Sequence, residues 1–260
     1  MKNKNLLNLL SFIATLVFVS CTNTPQKNSA LYQTGTINAL LDGLYNGEVN
    51  FKQLKEKGDF GIGTFNTLDG EMLGFDGQFY QVKSDGIAYP VNDSLKTPFA
   101  VVTHFNKDIS TQLRDTLNYK GLIQYLDSKI PTANIFYAIK IQGEFNYIKT
   151  RSVPKQTKPY PTLVTVVAKQ STFTFTNVKG TLVGFRFPDY TSGINVPGYH
   201  FHFITDDKLK GGHLLQLSGI NATVAIDAIH SIQLDLPRNS IFYEMDLSAN
   251  KEKDLEKVEK

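Results

Sequence analysis

The chain has 260 residues, 41% of them hydrophobic and 12% aromatic, which is typical of one large folded domain or two closely joined ones. The formal net charge is +3, and because residues 1–20 carry two lysines and no acidic residue, the remainder is close to neutral. This balance gives no support to nucleic-acid binding. The single cysteine, Cys21, excludes an internal disulfide bond and a multi-thiolate metal site, so a metal centre would need imidazole and carboxylate ligands.

The N-terminus has the pattern of an export signal. Lys2 and Lys4 precede an apolar run over residues 6–19 that is short for a membrane span. We therefore expect residues 1–20 to be a signal peptide. Residues 21–30, which are polar and contain a proline, are expected to form a flexible tether.

The end of this signal indicates the compartment. Ser20 followed by Cys21 resembles a bacterial lipoprotein signal, in which Cys21 would be lipidated and attach the protein to a membrane. Phe18 departs from that pattern, because a small aliphatic residue is usual there. The alternative is an ordinary secretory signal cut nearby. Both interpretations predict an exported protein, either membrane-anchored or secreted or periplasmic.

The first half of the chain alternates predicted helices and strands. Apolar residues at helical spacing predict helices over residues 36–45 and 51–57, and a mostly helical segment over residues 110–130. Residues 98–105 and 134–148 are predicted strands.

Residues 59–83 are predicted to form hairpins. Asp69-Gly70 and Asp76-Gly77 are strong turn signals between apolar runs. Glu71 follows the first turn directly and is flanked by apolar residues. A carboxylate inside such a strand needs a partner or a metal ion.

The second half is predicted to be mostly β-structure. Residues 161–170 fit a helix or a strand, and the charged run 250–260 fits a short helix or a frayed tail. The fold class predicted is α+β, with mixed and antiparallel sheets and a few helices. Its two closely joined halves are an N-terminal α/β half over residues 31–150 and a C-terminal β-rich half over residues 151–260 that carries the candidate metal site, at His200, His202 and His213. The expected strands cover residues 173–177, 180–187, 198–204, 213–218 and 223–236.

Three of the five histidines point to a metal site. His200 and His202 would share one face of a strand, with Phe201 and Phe203 on the other, because side chains i and i+2 project to the same side. His213 follows a polar loop and two glycines and would return beside the pair if that loop closes a hairpin. The three imidazoles would then form a metal site with a fourth position left for water or substrate. The alternative is a surface or interface pair of histidines without metal.

The other two histidines fit the interior of strands. His104 lies in an apolar strand pattern, and His230 lies between Ile229 and Ser231 in another. Both are interpreted as core residues whose ring nitrogens have hydrogen-bond partners.

Three segments carry a resemblance to a known family. They are GTFNTLDGEMLGFDGQFYQ (63–81), KTRSVPKQ (149–156) and GFRFPDYTSGINVPGYHFHFITDDKLKGGHLL (184–215). In these segments and their order the sequence resembles alpha-acetolactate decarboxylase, from Leu31 to the C-terminus. The resemblance implies an α+β zinc (Zn2+) enzyme in two halves, typically a homodimer, that converts 2-acetolactate to acetoin and carbon dioxide. It also implies that His200, His202 and His213 are the zinc ligands.

The resemblance implies three further active-site residues. Glu71 matches a carboxylate at the metal, and Arg151 matches the active-site arginine of the family. A glutamate near the C-terminus is also expected. Glu259 is the match and Glu256 the reserve, and the alternative for both is a solvated tail.

Two other protein classes share part of this pattern. A cupin-like metal protein would explain Gly193 and the His-x-His pair. However, the glutamate expected a few residues after that pair is absent, and Asp206 and Asp207 stand there instead. A non-enzymatic surface lipoprotein that binds zinc or a small ligand is the second alternative. The sequence has no His-Glu-x-x-His motif, which disfavours a zincin protease.

Overall fold

The structure, a computed structural model, describes residues 30–259. The predicted signal peptide, Cys21 and nearly all of the tether therefore lie outside the described residues. The strands are β1 (Ala30–Thr34), β2 (Val49–Asn50), β3 (Phe60–Thr64), β4 (Glu71–Phe75), β5 (Gln78–Val82), β6 (Ala88–Pro90), β7 (Lys96–Thr97), β8 (Ala100–Thr103), β9 (Ile109–Asn118), β10 (Phe136–Ser152), β11 (Ser171–Phe187), β12 (Gly198–Thr205), β13 (Gly211–Ile229) and β14 (Ser231–Asp235). The α-helices are α1 (Ile37–Leu41), α2 (Phe51–Lys57), α3 (Tyr119–Asp127), α4 (Leu163–Val167), α5 (Ser240–Glu244) and α6 (Glu252–Glu259).

Two large sheets form the body of the protein. The first has seven strands in the order β14-β1-β8-β3-β4-β5-β6, antiparallel except for the parallel pair β1–β14. The second has the order β10-β11-β12-β13-β9. An additional pairing of β13 with β10 makes a closed ring of four strands, β10, β11, β12 and β13. The α+β class with mixed and antiparallel sheets is therefore confirmed.

One apolar layer joins the two sheets. It contains Leu73 and Phe75 of β4 together with Val183 of β11 and Ile204 of β12. A second cluster, on the opposite face of β12, contains Phe201 and other large apolar side chains. Because β12 is covered on both faces, the residues that alternate along it are fixed in direction by packing.

Both helices predicted near the N-terminus are present, although α1 ends at Leu41 and not at residue 45, and one prediction further along is wrong. Helix α1 is capped by the Thr36 side chain, which accepts a hydrogen bond from the Ala39 amide. The first half of the predicted helical segment 110–130 is strand β9, and only Tyr119–Asp127 is helical. Strand β9 pairs with β13, and this long-range pairing outweighs the helical spacing of its leucines.

The interpretation of His104 and His230 as core residues is also wrong, because both are exposed. His104 follows the last residue of β8, and His230 occupies the break between β13 and β14. Phe105, the residue after His104, does pack against the core, but the His104 side chain itself does not. Within residues 30–259, none of the helices has the length and apolar composition needed to span a membrane.

Strand β10 runs through the predicted boundary between residues 150 and 151. It pairs along most of its length with both β11 and β13. The division of the chain into two halves at that point stays a prediction.

Candidate metal centre

Three polar side chains lie in a row across neighbouring strands. Strand β12 places His202 opposite His213 of β13, and β13 places His213 opposite Arg151 of β10. Residues that are directly opposite in antiparallel strands project from the same face. His200 joins them, because it lies two residues from His202 on β12. The pairing of β12 with β13 thus brings the third histidine beside the His-x-His pair.

The two glycines before His213 allow this close approach. A Cβ atom on Gly211 would lie 2.2 Å from the Phe203 carbonyl oxygen, and one on Gly212 would lie 2.4 Å from the Arg151 carbonyl oxygen. Gly212 also has a φ of 139°, which disfavours other residues. The Gly-Gly pair therefore lets β13 pass between β12 and β10 at the point where the histidines meet.

The three histidines form a compact, buried cluster. Their potential ligand nitrogens all lie within 4.8 Å of one another. A hydrogen bond of 3.0 Å joins His200 Nε2 and His213 Nδ1, and His202 Nδ1 donates to the Met72 carbonyl oxygen at 2.7 Å. Among the described residues, His202 Nε2 and His200 Nδ1 are buried nitrogens without a hydrogen-bond partner. Such atoms are costly unless they bind something, so the cluster fits a metal ion.

Burial keeps these imidazoles neutral, which is the form that binds metal. Loss of hydration, together with the positive charge of Arg151, lowers the pKa of His200 to about 3. The pKa values of His202 and His213 also lie well below the ordinary value of 6.5, chiefly because of burial. The hydrogen bond from His202 Nδ1 to Met72 also fixes the tautomer, leaving Nε2 free to coordinate.

Glu71 and Arg151 form a buried ion pair beside the histidines. Glu71 begins β4 and lies opposite Thr64 of β3. Its Oε1 accepts a hydrogen bond from Arg151 Nη1 at 2.6 Å, and its Oε2 lies 3.7 Å from His202 Nε2. Arg151 Nη2 donates to the Val258 carbonyl oxygen at 3.2 Å. The pair thus connects β4, β10 and the C-terminal helix next to the metal-binding cluster.

Helix α6 covers the cluster and brings in the C-terminal glutamate. Leu255 and Val258 are buried in an apolar cluster with α1 and α4. Glu259 Oε2 lies 3.8 Å from both His200 Nε2 and His213 Nε2, and its side chain is 17% exposed.

Glu256, by contrast, is exposed and does not line the cavity that contains the histidines. The residues just before α6 are tied to α1 by an ion pair of 2.6 Å between Lys251 and Asp42. The C-terminal end that the sequence left as helix or frayed tail is therefore a docked helix over Glu252–Glu259.

The two carboxyl groups have raised pKa values. Burial raises the pKa of Glu71 to about 7, against the lowering effect of Arg151, and the charge of Glu259 adds to the rise. Burial likewise raises the pKa of Glu259 to about 7, and Arg151 again opposes it. Carboxyl groups that titrate near neutral pH can exchange protons with a substrate.

Ionisation of Glu259 should lower the free energy of unfolding of the chelator-treated protein as the pH rises. Its folded pKa of about 7 exceeds the ordinary 4.5, so folding favours the protonated form. That contribution is complete below pH 4.5 and is lost as the pH rises through 7. Between pH 5 and 8 the Glu259→Gln variant should therefore lose less unfolding free energy than the wild type, by about 3 kcal/mol at most. Urea denaturation at each pH measures the difference.

The matched control is Glu252→Gln, at an exposed glutamate on the same helix. This variant should keep the wild-type dependence on pH, because its side chain is in water in both states. Parallel profiles for the wild type and Glu259→Gln would contradict the raised pKa.

The cavity beside the histidines has both polar and apolar lining residues. About 410 Å³ of empty space lies between its lining residues, a volume that includes open solvent. Thr64, Glu71, Arg151 and Glu259 line it together with the histidines. Its apolar lining has no signal in the sequence, because it comes from segments far apart in the chain. These residues are Ile37, Leu40, Leu68, Phe99, Val153, Leu163 and Val258.

Comparison with known proteins gives a consistent match. A family model described as alpha-acetolactate decarboxylase matches residues 31–249. An alpha-acetolactate decarboxylase of Methanosarcina mazei is 50% identical over 233 residues, covering 90% of this chain and 81% of that protein. One from Brevibacillus brevis is 47% identical over 224 residues, covering 86% and 79%. A crystal structure of alpha-acetolactate decarboxylase from Bacillus subtilis superposes with a TM-score of 0.87 at 41% identity, covering 89% of this chain and 99% of that one.

The residues that the family model matches include Glu71, Arg151 and the three histidines, whereas Glu259 lies beyond residue 249. The agreement extends over most of the chain and most of each relative. The resemblance found in three sequence segments is thereby confirmed, and the chain belongs to the alpha-acetolactate decarboxylase family.

Proposed function

We propose that this protein is a zinc-dependent enzyme that decarboxylates 2-acetolactate to acetoin and carbon dioxide. The observation that carries the proposal is the buried cluster of three neutral histidines beside the Glu71–Arg151 ion pair, in a member of this family. Imidazole ligands suit zinc, and three of them leave a coordination position for substrate.

The chemistry of the substrate explains why a cation is useful there. Acetolactate has a ketone β to its carboxylate and a hydroxyl group between them. Loss of carbon dioxide leaves electron density on the former carbonyl group, as an enediolate. A bound zinc ion would supply a Lewis acid for the ketone and hydroxyl oxygens, and neutral imidazoles would leave it its full double charge.

Arg151 is suited to orient the anionic substrate. Its guanidinium group is a planar fork of donors that matches a carboxylate or an enolate oxygen. Glu71 and the Val258 carbonyl hold two of its nitrogens, which fixes the plane of the fork, and its Nε has no partner among the described residues. Arg151 would thus bind the substrate without reorganising.

The reaction ends with delivery of a proton to one face of the enediolate, which yields one enantiomer of acetoin. Glu71 and Glu259 are the candidates for general acid, because both line the cavity and both have a pKa of about 7. Glu71 is held by Arg151 at 2.6 Å, whereas Glu259 has greater access to solvent. Either carboxyl group satisfies the chemistry, and the two variants Glu71→Gln and Glu259→Gln would distinguish them.

The proposal also covers the setting of the enzyme. We propose that it is exported, attached to a membrane through lipidated Cys21, and assembled as a homodimer. The signal-like N-terminal sequence supports export, and the family resemblance supports the dimer. Detergent phase partitioning of wild type and Cys21→Ser tests the attachment, and light scattering of residues 22–260 tests the assembly.

An acetoin assay tests the activity. Purified residues 22–260 should form acetoin from acetolactate faster than a sample without protein, lose this activity on treatment with a chelator, and regain it with added zinc. A cupin-like metal protein or a ligand-binding lipoprotein would bind metal but form no acetoin. Acetoin formation that survives complete removal of metal would contradict the metal-dependent part of the proposal.

A further inference from the structure

An unusual turn lies between two of the polar residues of the cavity. The short 3-10 helix Asn66–Leu68 connects β3, which ends at Thr64, to β4, which begins at Glu71. Within it, Thr67 has a φ of 64° and Leu68 a φ of 52°. Two successive non-glycine residues with a left-handed backbone conformation are uncommon. Such conformations persist only where the surrounding structure enforces them.

Hydrogen bonds to separate parts of the chain hold this turn. The Asn66 side chain accepts from the Gly47 amide at 2.8 Å and donates to the Gly47 carbonyl at 3.0 Å. The Thr67 amide donates to the Tyr45 carbonyl, and the Thr67 carbonyl accepts from the Gln156 amide, both at 2.7 Å. The turn is therefore fixed from two sides and is rigid.

The Leu68 side chain, at the end of this rigid turn, lines the cavity. It is 2% exposed and lines the same space as the three histidines. Among the other apolar residues of the cavity, Leu40, Leu163 and Val258 lie on helices α1, α4 and α6. A strained conformation beside a reactive site points to a functional requirement for the position of that side chain.

We propose that Leu68 limits the size of the alkyl groups that the active site accepts next to the reacting carbon atoms. The inference rests on the proposed function, because it concerns homologues of acetolactate. Acetolactate carries two methyl groups, and a homologue with one of them lengthened to ethyl needs more space in the apolar part of the cavity. A side chain that lines a cavity can exclude a substrate that is one methylene group longer only if that side chain does not move aside. Leu68 is held in place by its backbone.

The test compares kcat/KM for acetolactate with kcat/KM for its two ethyl homologues, one lengthened at each methyl group. A methylene group in an apolar pocket changes kcat/KM by roughly 10- to 200-fold. The Leu68→Ala variant should therefore raise the homologue-to-acetolactate ratio at least about tenfold for one homologue or both. If Leu68→Ala does not fold, Leu68→Gly, which adopts the left-handed backbone conformation of this position readily, should raise the same ratio.

Leu41→Ala is the matched control. Leu41 is equally buried, at 2% exposure, and belongs to the same apolar cluster as Leu68, but it does not line the cavity. This variant should be less stable than the wild type and keep the wild-type ratio. The proposal is overturned if the ratio in Leu68→Ala or Leu68→Gly stays within about twofold of the wild type, or if Leu41→Ala raises it equally. A wild-type protein that forms no acetoin would instead refute the proposed function, and this inference with it.

Discussion

Replacement of His202 by alanine should leave the purified protein almost free of metal and without measurable acetoin formation. His202 is 1% exposed, its Nδ1 is held by the Met72 carbonyl, and its Nε2 is free to coordinate. Loss of one of three imidazoles leaves too few protein ligands to retain zinc, and the Lewis acid is lost with it. Elemental analysis after dialysis against a chelator, together with the acetoin assay, measures both effects.

His104→Ala is the control for this experiment. His104 is an exposed histidine whose Nδ1 lies 3.9 Å from Asp59 Oδ2, away from the cluster. Its replacement should leave both metal content and activity at the wild-type level. Full metal occupancy in His202→Ala would show that the three-histidine cluster is not the metal centre.

Replacement of Glu71 by glutamine should lower kcat about 100- to 10,000-fold while the protein stays folded. Glutamine has nearly the same shape, and its side-chain oxygen can still accept the hydrogen bond from Arg151 Nη1. The variant loses the negative charge opposite Arg151 and the capacity to exchange a proton. Steady-state kinetics with acetolactate measures kcat and KM, and circular dichroism checks the fold.

The control is Glu144→Gln, at an exposed glutamate that forms an ion pair with Lys179 on the surface. Its kcat should equal that of the wild type, since surface ion pairs of this kind contribute little. A normal rate of acetoin formation by Glu71→Gln would refute a catalytic role for Glu71. A loss of folding in that variant would show that the ion pair with Arg151 is chiefly structural.

Local geometry explains why some of the site could be predicted from sequence. Side chains alternate along any strand, so His200 and His202 had to share a face once β12 was extended. The turn signals at Asp69-Gly70 and Asp76-Gly77 likewise fixed where β4 begins and ends, and hence the place of Glu71. These features depend on bond geometry within a few residues, which the sequence specifies directly.

Features that depend on distant partners were harder to predict. Strand β9 has leucines at helical spacing, and only its pairing with β13 makes it extended. The choice between Glu256 and Glu259 also depended on packing, because burial of Leu255 and Val258 sets which side of α6 faces the histidines. The left-handed conformation of Leu68 had no signal in the sequence, since other segments of the chain impose it.

The sequence by itself determined the family, the α+β class and the set of side chains able to bind a metal ion, because these follow from residue identity, short spacing and local periodicity. The tertiary structure alone decided that His213, Arg151 and Glu71 meet beside the His-x-His pair, and that helix α6 closes over them. The physical reason is that strand pairing and helix docking depend on the burial of apolar surface from distant segments, which no local pattern records.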